Sequence, residues 1–352
     1  MRIGIDLMGS DSDPHLLFNA VLHAAACLDN SYSLLVIATK SVVDQLSSQI
    51  KASPQPAKQA PISFREVADT ISMSDDPLGA IRRKKESSLV VGMRLLKKRQ
   101  LNAFVSCGNT GALIASAVLS LPVLPGISRP ALLATLPTEK GPITVLDVGS
   151  AVACKAHNLV QYAHLGAAYQ RAIRGVETPT IGLLNVGVES KKGTTEVRQA
   201  YEILKQQQEA VEAKGGPLDM RFVGNVEGRD VFKGGVDVLV TDGFTGNIFL
   251  KTAEGVADFI FEALEKTLKP EAVSHLKGTL EELKRHFNYV EYPGAMVCGV
   301  DGIVIKVHGN GSVKALYNSI IGAAHCVQKQ VIPNIKKQLA TQGAHVHPMA
   351  ST

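Results

Sequence analysis

Short apolar runs of strand length alternate with longer segments of helical period along most of this chain. The ten runs fall at 2–7, 33–38, 62–67, 102–106, 131–136, 143–147, 179–185, 219–223, 236–240 and 302–307. Runs that are apolar on both faces are typical of buried parallel strands, and the helical segments between them supply the crossovers that such strands need. The pattern therefore predicts an α/β fold in which a mainly parallel sheet is sandwiched between helices.

Two stretches depart from this alternation. From 253 to 287 two helical segments follow each other with Pro270 between them, which predicts a protruding helical hairpin. From Lys336 to Thr352 apolar residues are sparse, which predicts a flexible tail. The proline-bearing stretch 51–61 is interpreted as a surface loop rather than a domain boundary. We therefore expect a single α/β/α catalytic domain over 1–335, including the hairpin, followed by a tail over 336–352.

Composition narrows the function classes. The 352 residues are 45% hydrophobic and 20% charged, as in ordinary globular proteins. A net charge of +5, no tryptophan and 5% aromatic residues argue against a nucleic-acid-binding surface. The five cysteines are scattered and form no Cys-x-x-Cys pair, which argues against disulfides and zinc and favours the cytoplasm. We expect neither secretion nor a spanning helix, because the N-terminus is acidic and no window reaches roughly 18 apolar residues.

Two glycine-rich junctions each follow an apolar run and lead into a helical one. In mainly parallel sheets ligands bind beyond the carboxyl ends of the strands, and glycine there lets a phosphate approach the N–H groups of a helix start. The alternative for either junction is simple N-capping by Asn or Thr. The presence of two favours phosphate binding. The candidate phosphate-binding residues are Asn109, Thr110 and Gly111 in one junction, and Gly243, Thr245, Gly246 and Asn247 in the other.

Three further polar clusters end apolar runs, at 185–193, 224–228 and 306–311. In the first, Lys192 can hold a phosphate as a point charge. In the last, His308 can transfer a proton near neutral pH, although a structural histidine explains it equally well. For Asn225 and Glu227 in the middle cluster, the alternative is a turn closed by Asx-type hydrogen bonds.

Several motifs of nucleotide enzymes and hydrolases are missing from the sequence. It has no Gly-x-Gly-x-x-Gly after the first strand and no Gly-x-x-x-x-Gly-Lys-[Ser/Thr]. It also has no Gly-x-Ser-x-Gly and no His-Glu-x-x-His. The predicted anion is therefore a small phosphate or phosphoryl group, and neither a cofactor nor a metal is predicted.

Taken together, six stretches resemble one family, the phosphate acyltransferases of bacterial phospholipid synthesis. They lie in order at 6–11, 81–88, 105–113, 224–228, 240–255 and 302–309, and the string TDGFTGN followed by LKTAEG is highly specific. The resemblance implies that inorganic phosphate attacks the thioester of a long-chain acyl-acyl carrier protein. The products would be free carrier protein and an acyl phosphate that feeds glycerol-3-phosphate acylation. It also implies a Rossmann-like three-layer α/β/α sandwich related to phosphotransacetylases, a homodimer, and peripheral contact with the inner face of the cell membrane.

The resemblance gives the polar residues roles. The candidate catalytic residues are Lys192, Asp242, His308 and Asn225. Phosphate is largely dianionic near neutral pH, since its second pKa is roughly 6 to 7, so a strong base is dispensable. What remains is to position the phosphate and to stabilise the oxyanion, for which the N–H groups of both junctions and Lys192 are suited. Asp242 or His308 would orient the phosphate or protonate the leaving thiolate.

The resemblance also changes the interpretation of two surfaces. A basic run is usually a solvated helix face. Because carrier proteins are acidic, the basic run of this chain is instead interpreted as a surface that attracts the carrier protein. Salt is then expected to raise the Michaelis constant for the carrier substrate. The candidate carrier-protein-binding residues are Arg82, Arg83, Lys84 and Lys85. In the hairpin, an apolar stripe can lie on a membrane or pack in a core or dimer interface. Its members are Phe259, Ile260, Phe261, Leu264 and Leu268. A glycerol-3-phosphate acyltransferase is the expected partner that receives the acyl phosphate.

The chain departs from the family pattern after the apolar run 143–147. The family usually has Asp-x-Gly-Ala-Asn-x-Asp there, whereas this chain has Asp147-Val-Gly-Ser-Ala-Val-Ala153. An asparagine and a carboxylate are missing, and Asp147 is expected to substitute in part. Three other functions stay open. They are a phosphotransacylase of short acyl-CoA, a dehydrogenase of the isocitrate type, for which clustered aspartates and a nicotinamide site are not evident, and a non-catalytic scaffold.

Overall fold

The computed structural model describes residues 1–52, 59–267, 293–307 and 312–341, together with Gly278 and Leu283. The chain forms two compact units. The first is built from described residues within Met1–Leu132, Ala172–Arg174 and Pro293–His347, and the second from those within Leu133–Arg171 and Gly175–Tyr292. Whether the two act as one catalytic domain, as the sequence predicts for 1–335, stays a prediction.

The amino-terminal part of the chain alternates strands and helices. Its elements are β1 (Arg2–Asp6), α1 (Pro14–Cys27), β2 (Ser33–Thr39), α2 (Lys40–Ala52), β3 (Ile62–Val67), α3 (Pro77–Arg83), α4 (Ser88–Lys97), β4 (Ala103–Ser106) and α5 (Thr110–Ser120). Strands β1 to β4 pair in parallel in the order β3-β2-β1-β4. Strand β4 is buried along its whole length, because helices cover the sheet that it enters.

The second unit repeats this alternation. Its elements are β5 (Ala131–Leu136), β6 (Ile143–Leu146), α6 (Ala156–Arg174), β7 (Thr180–Asn185), α7 (Thr195–Glu212), β8 (Arg221–Glu227), α8 (Gly228–Val231), β9 (Val238–Val240) and α9 (Gly243–Thr267). The strand order is β5-β6-β9-β7-β8, in which only β5 is antiparallel to its neighbour. Strands β6, β9, β7 and β8 therefore bring their carboxyl ends to one edge of the sheet.

The chain then returns to the first unit and completes its sheet. The elements are β10 (Ala295–Cys298), β11 (Ile303–Lys306), α10 (Val313–Gln328) and α11 (Val331–Thr341). Strand β11 lies parallel to β4, and β10 is antiparallel to β11. In this unit the carboxyl ends of β1, β4 and β11 therefore share one edge.

The predicted α/β fold with a mainly parallel sheet is confirmed. A strand overlaps each of the ten predicted positions. Sequence reasoning missed β10, because its apolar run is only four residues long between Gly294 and Gly299. It also ended β8 too early: the predicted strand 219–223 continues to Glu227, so Asn225 lies within a strand and not in a turn.

One predicted boundary was wrong, and it concerns the tail. Helix α9 begins at Gly243, directly at the glycine-rich junction, and its residues 253–267 supply the first segment of the predicted hairpin. The second segment lies outside the described residues apart from Gly278 and Leu283. The tail predicted from Lys336 is helical as far as Thr341 and buries Leu339, because α11 continues past the sparse apolar positions. In the described part of the chain, no helix is long and apolar enough to cross a membrane.

Candidate active site

The carboxylate of Asp147 organises the loop that follows β6 in the second unit. Asp147 is fully buried. Its Oδ1 accepts hydrogen bonds from the backbone N–H of Gly149, at 3.1 Å, and of Ser150, at 2.9 Å. Its Oδ2 accepts from the Ala151 N–H, at 3.1 Å, and from the Ser150 hydroxyl. Both oxygens of Asp147 are thus engaged within its own loop, and the expectation that it substitutes in part for the missing family carboxylate stays a prediction.

This loop lies against the first turn of α9. A Cβ at Gly243 would come within 2.8 Å of the Ala151 nitrogen and of Asp147 Oδ2, and a Cβ at Gly246 would overlap the carbonyl oxygen of Asp147. Both glycines are thus required by close backbone approach, rather than by simple turn geometry. The exposed side chain of Asn247 lies over Gly149, at 3.7 Å from a Cβ built there. The junction 243–247 and the loop 147–151 therefore form one structure.

Asp242 caps α9. Its Oδ1 accepts from the Thr245 N–H at 2.9 Å, and its Oδ2 accepts from the Thr245 hydroxyl at 2.7 Å. A carboxylate at a helix N-terminus is favourable because it meets the positive end of the helix dipole. The Thr245 hydroxyl donates its proton to Asp242, and a role of Thr245 in phosphate binding stays a prediction. The catalytic role of Asp242 stays a prediction.

Strands β7 and β8 bring Lys192 and Asn225 to the same edge. The buried Asn225 donates from Nδ2 to the carbonyl of Glu189 at 2.9 Å and so holds the loop 186–193 that follows β7. Asn185 Nδ2 donates to the carbonyl of Lys192 at 3.1 Å, which fixes the loop at its other end. The Lys192 side chain is exposed. Asn225 Oδ1 is buried and has no hydrogen-bond partner among the described residues, so it is able to accept one.

In the first unit, Asn109 begins α5 as its N-cap residue. Its Oδ1 accepts from the Ala112 N–H at 3.0 Å, and its Nδ2 donates to the carbonyls of Ser72, Met73 and Asp75 at 3.2 to 3.3 Å. The side chain therefore ties a distant loop to the junction, and a role of Asn109 in phosphate binding stays a prediction. The N–H groups of Thr110 and Gly111 lie in the first turn, where no intrahelical partner exists, so they suit an anion.

A buried polar cluster that sequence reasoning missed lies behind this junction. Asp6, at the end of β1, accepts from the Ser106 hydroxyl at 2.8 Å and from the Met8 N–H at 3.0 Å. Lys306, at the end of β11, donates from Nζ to the carbonyls of Val307, at 2.6 Å, and Cys107, at 3.4 Å. Burial raises the pKa of Asp6 to about 6, against the lowering effect of Ser88, Met8, Ser106 and Lys306. A charged residue that ends an apolar strand is the pattern that could have revealed both.

Replacing Asp6 with asparagine tests this cluster through pH. The pKa of Asp6 is 3.8 in the unfolded chain and about 6 in the folded protein. At a pH between these two values, the folded protein keeps a proton on Asp6 that the unfolded chain releases. The stability contributed by protonated Asp6 is thus present below that window and lost as the pH rises through it, by about 3 kcal/mol. We expect the free energy of unfolding of Asp6→Asn to improve by about this amount relative to wild type between pH ~4 and ~7. Urea unfolding of both proteins across that pH range measures the difference in their free energies of unfolding. A difference that does not change with pH would contradict the expectation.

The four residues of the predicted basic run differ in their contacts. Lys84 is bound to Asp75 at 2.7 Å and to the carbonyl of Thr70 at 2.9 Å. The hydrogen bond from Lys84 holds the pKa of Asp75 at about 2. Arg82, Arg83 and Lys85 are exposed. Lys84 is therefore mainly structural, whereas the other three are available to a partner.

The predicted site residues lie in two different units of the chain. Asp242, Lys192, Asn225 and the 243–247 junction lie at the same strand edge of the second unit. Asn109, Thr110 and Gly111 belong to the first unit, and a Cβ at Gly111 would come within 2.8 Å of Pro77 Cγ. His308 lies outside the described residues. No group of three or more His, Cys, Asp or Glu in the described ranges could hold a metal ion.

This chain is similar to known proteins over nearly its whole length. A model of the family described as "Fatty acid synthesis protein" matches residues 1–334. A Chlamydia caviae protein named phosphate acyltransferase is 39% identical over 342 residues, covering 97% of this chain and 99% of its own. One of the same name from Thermoanaerobacter pseudethanolicus is 36% identical over 348 residues, covering 97% and 98%. The structure of a phosphotransacetylase from Streptococcus pyogenes aligns with a TM-score of 0.58 at 18% identity, covering 93% of this chain and 94% of that one, and so shares the fold.

Proposed function

Because this chain belongs to the phosphate acyltransferase family, enzymes of fatty acid and phospholipid synthesis, we propose that it moves a long-chain acyl group from acyl-acyl carrier protein to inorganic phosphate. The acyl phosphate would then serve glycerol-3-phosphate acylation. The observation that carries the proposal is the match over 97% of the chain to relatives with that name. The glycine-bearing strand edge of the second unit supports it, because it offers the parts that attack by phosphate requires.

Phosphate binding is assigned to the first turn of α9. Gly243 and Gly246 let the loop 147–151 pack closely against this turn, and the N-terminus of a 25-residue helix attracts an anion. The loop 147–151 fixes this turn from behind. Held there, a phosphate oxygen attacks the thioester carbonyl, the oxyanion forms, and the carbon–sulfur bond then breaks to release the thiolate of the carrier. Placement of the nucleophile lowers the barrier in such a site, because it makes the attack effectively unimolecular.

Lys192 and Asn225 complete the site in this proposal. The exposed ammonium of Lys192 reaches the phosphate from the 186–193 loop as a mobile positive charge. Asn225 positions that loop through Glu189, and its unused Oδ1 accepts a hydrogen bond from an N–H or O–H group of a substrate. His308 remains a candidate proton donor for the thiolate, and Asp242 a candidate for orienting the phosphate.

Alanine at Lys192 is expected to raise the Michaelis constant for phosphate about tenfold, the value of one charge-assisted contact of roughly 1.4 kcal/mol. The turnover number should change less, because the charge binds ground state and transition state alike. Steady-state kinetics with varied phosphate at a saturating acyl donor measures both. Lys191→Ala is the matched control, since Lys191 is the adjacent exposed lysine of the same loop. Equal effects of the two substitutions would remove the assigned role of Lys192.

The reaction itself is tested with purified protein, palmitoyl-acyl carrier protein and radiolabelled phosphate. Label in acyl phosphate is the expected result. If acyl phosphate becomes labelled only when a short acyl-CoA is the donor, the protein is instead a short-chain phosphotransacylase. A folded protein that gives no label with any acyl donor would favour the scaffold alternative.

The proposal extends to partners. The exposed Arg82, Arg83 and Lys85 would meet the acidic carrier protein, with Lys84 bracing the run through Asp75. A homodimer, peripheral contact with the inner face of the cell membrane and delivery to a glycerol-3-phosphate acyltransferase are further parts of it. They follow from the family resemblance.

A further inference from the structure

The second unit contains an apolar cavity beside α9 with a volume of about 640 Å³. It is defined by one face of α9 and by residues from β5, the α8 region and beyond α9. Its lining includes Leu136, Phe232, Phe249, Ala253, Ala257 and Leu264. The volume lies within the range of about 300 to 1,000 Å³ that is usual for small-molecule sites. We call this cavity the α9 groove.

The α9 groove runs along one face of α9, and one end lies next to the candidate active site. Its α9 residues Phe249, Ala253, Ala257 and Leu264 follow helical spacing and so share one face. From Phe249 to Leu264 this face is about 22 Å long at 1.5 Å per residue. Phe249 is only three residues beyond Gly246, and Gly228, also in the lining, directly follows the strand that carries Asn225. The groove therefore leads away from the site at which phosphate is proposed to bind.

The lining suits a hydrocarbon. Phe232 and Phe249 stack at 5.7 Å between ring centroids, while Ala253 and Ala257 keep the middle of the groove open. Glu254 is the one ionisable group among the described lining residues, and Lys251 binds it at 2.8 Å. An extended hydrocarbon advances about 1.3 Å per carbon, given C–C bonds of about 1.5 Å, so ~22 Å accommodates a chain of about 16 carbons.

We propose that the α9 groove holds the acyl chain of the donor, with the thioester at the Phe249 end and the terminal methyl group towards Leu264. Ala253 and Ala257 are then specificity-determining residues, because a larger side chain at either would close the groove part-way along. This inference rests on the proposed function and adds to it the place where the chain length is measured. It also separates the apolar residues of α9: Leu264 contacts the chain, whereas Phe259, which is 71% exposed, lies outside the lining.

The test compares kcat/KM for octanoyl- and palmitoyl-acyl carrier protein at saturating phosphate. Ala257→Phe is expected to lower the palmitoyl value at least about tenfold and the octanoyl value less than about threefold, since each excluded methylene is worth about fourfold. Leu264→Ala, a truncation at the distal end, is expected to reduce only the palmitoyl value, by about fivefold. Ala263→Phe is the matched control, because Ala263 lies on α9 outside the lining and should leave the ratio unchanged.

Several results would overturn the inference. One is an unchanged palmitoyl-to-octanoyl ratio in both groove variants. Another is dissociation of an oligomer by Ala257→Phe, seen by light scattering, with the ratio unchanged, which would place a second copy of the chain in the groove. Loss of vesicle binding with the ratio unchanged would assign it to a membrane. If the wild type transfers no acyl group to phosphate, the proposed function fails, and binding of a fluorescent C16 fatty acid to wild type and Ala257→Phe still decides about the groove.

Discussion

Alanine in place of Gly246 is expected to lower kcat/KM about 100-fold, chiefly through the Michaelis constant for phosphate. A Cβ at this position would overlap the carbonyl oxygen of Asp147 and come within 2.7 Å of Thr241 Cγ2. The obstructing atom at Asp147 belongs to the backbone, so no side-chain rotation relieves the overlap. The first turn of α9 must therefore move away from the loop 147–151, and the N–H groups that are proposed to hold phosphate move with it.

The same change should lower the free energy of unfolding by about 1 to 3 kcal/mol, the usual cost of overpacking. Gly255→Ala is a matched control on the same helix. Gly255 is exposed, and a Cβ there would meet nothing within 4 Å, so alanine is expected to stabilise α9 by about 0.5 to 1 kcal/mol and to leave the kinetics unchanged. Steady-state kinetics and urea unfolding of the two variants measure both effects. Wild-type kinetics in Gly246→Ala would show that the first turn of α9 does not bind the phosphate.

These contacts show how far the sequence could predict the site. The edge itself was predictable, because ligands of parallel sheets bind beyond the strand ends and glycine-rich junctions stand there. Local capping was also within reach: Asp242 and Thr245 are three residues apart, the ordinary spacing of an N-cap.

Contacts between distant residues were not predictable. The donor group of Asn109 is used by the carbonyls of Ser72 and Met73, which are 37 and 36 residues away, so no local pattern shows that it is occupied. The space at Gly246 is limited by the carbonyl oxygen of Asp147, which belongs to a different strand end. The α9 groove combines the ends of several elements, and its stripe on α9 has the same spacing as a membrane or interface stripe would have.

Removal of the Asp147 carboxylate is the second change with a large expected effect. Asp147→Ala removes the acceptor of three backbone N–H groups and of the Ser150 hydroxyl. Asp147 and Ala151 are buried, whereas Gly149 is exposed and Ser150 is half-buried, so water replaces part of what is lost. An unsatisfied donor that stays buried costs about 1 to 3 kcal/mol. We expect the free energy of unfolding to fall by about 2 to 4 kcal/mol, measured by urea unfolding.

In variants of the loop 147–151, we expect kcat/KM to depend on whether the loop keeps its conformation and not on its charge. The loop 147–151 braces the first turn of α9, so Asp147→Ala is expected to lower kcat/KM about 100-fold, in line with Gly246→Ala. Ser150→Ala removes one of the four donors and keeps the carboxylate, so a loss of only about 1 kcal/mol of stability is expected, with kinetics near wild type. Asp147→Asn should fall between them, because its amide keeps one acceptor oxygen but turns an NH₂ group towards two donors. If Asp147→Ala folds stably and its Michaelis constant for phosphate is that of wild type, the loop does not position the phosphate site, and the phosphate must bind elsewhere than against the start of α9.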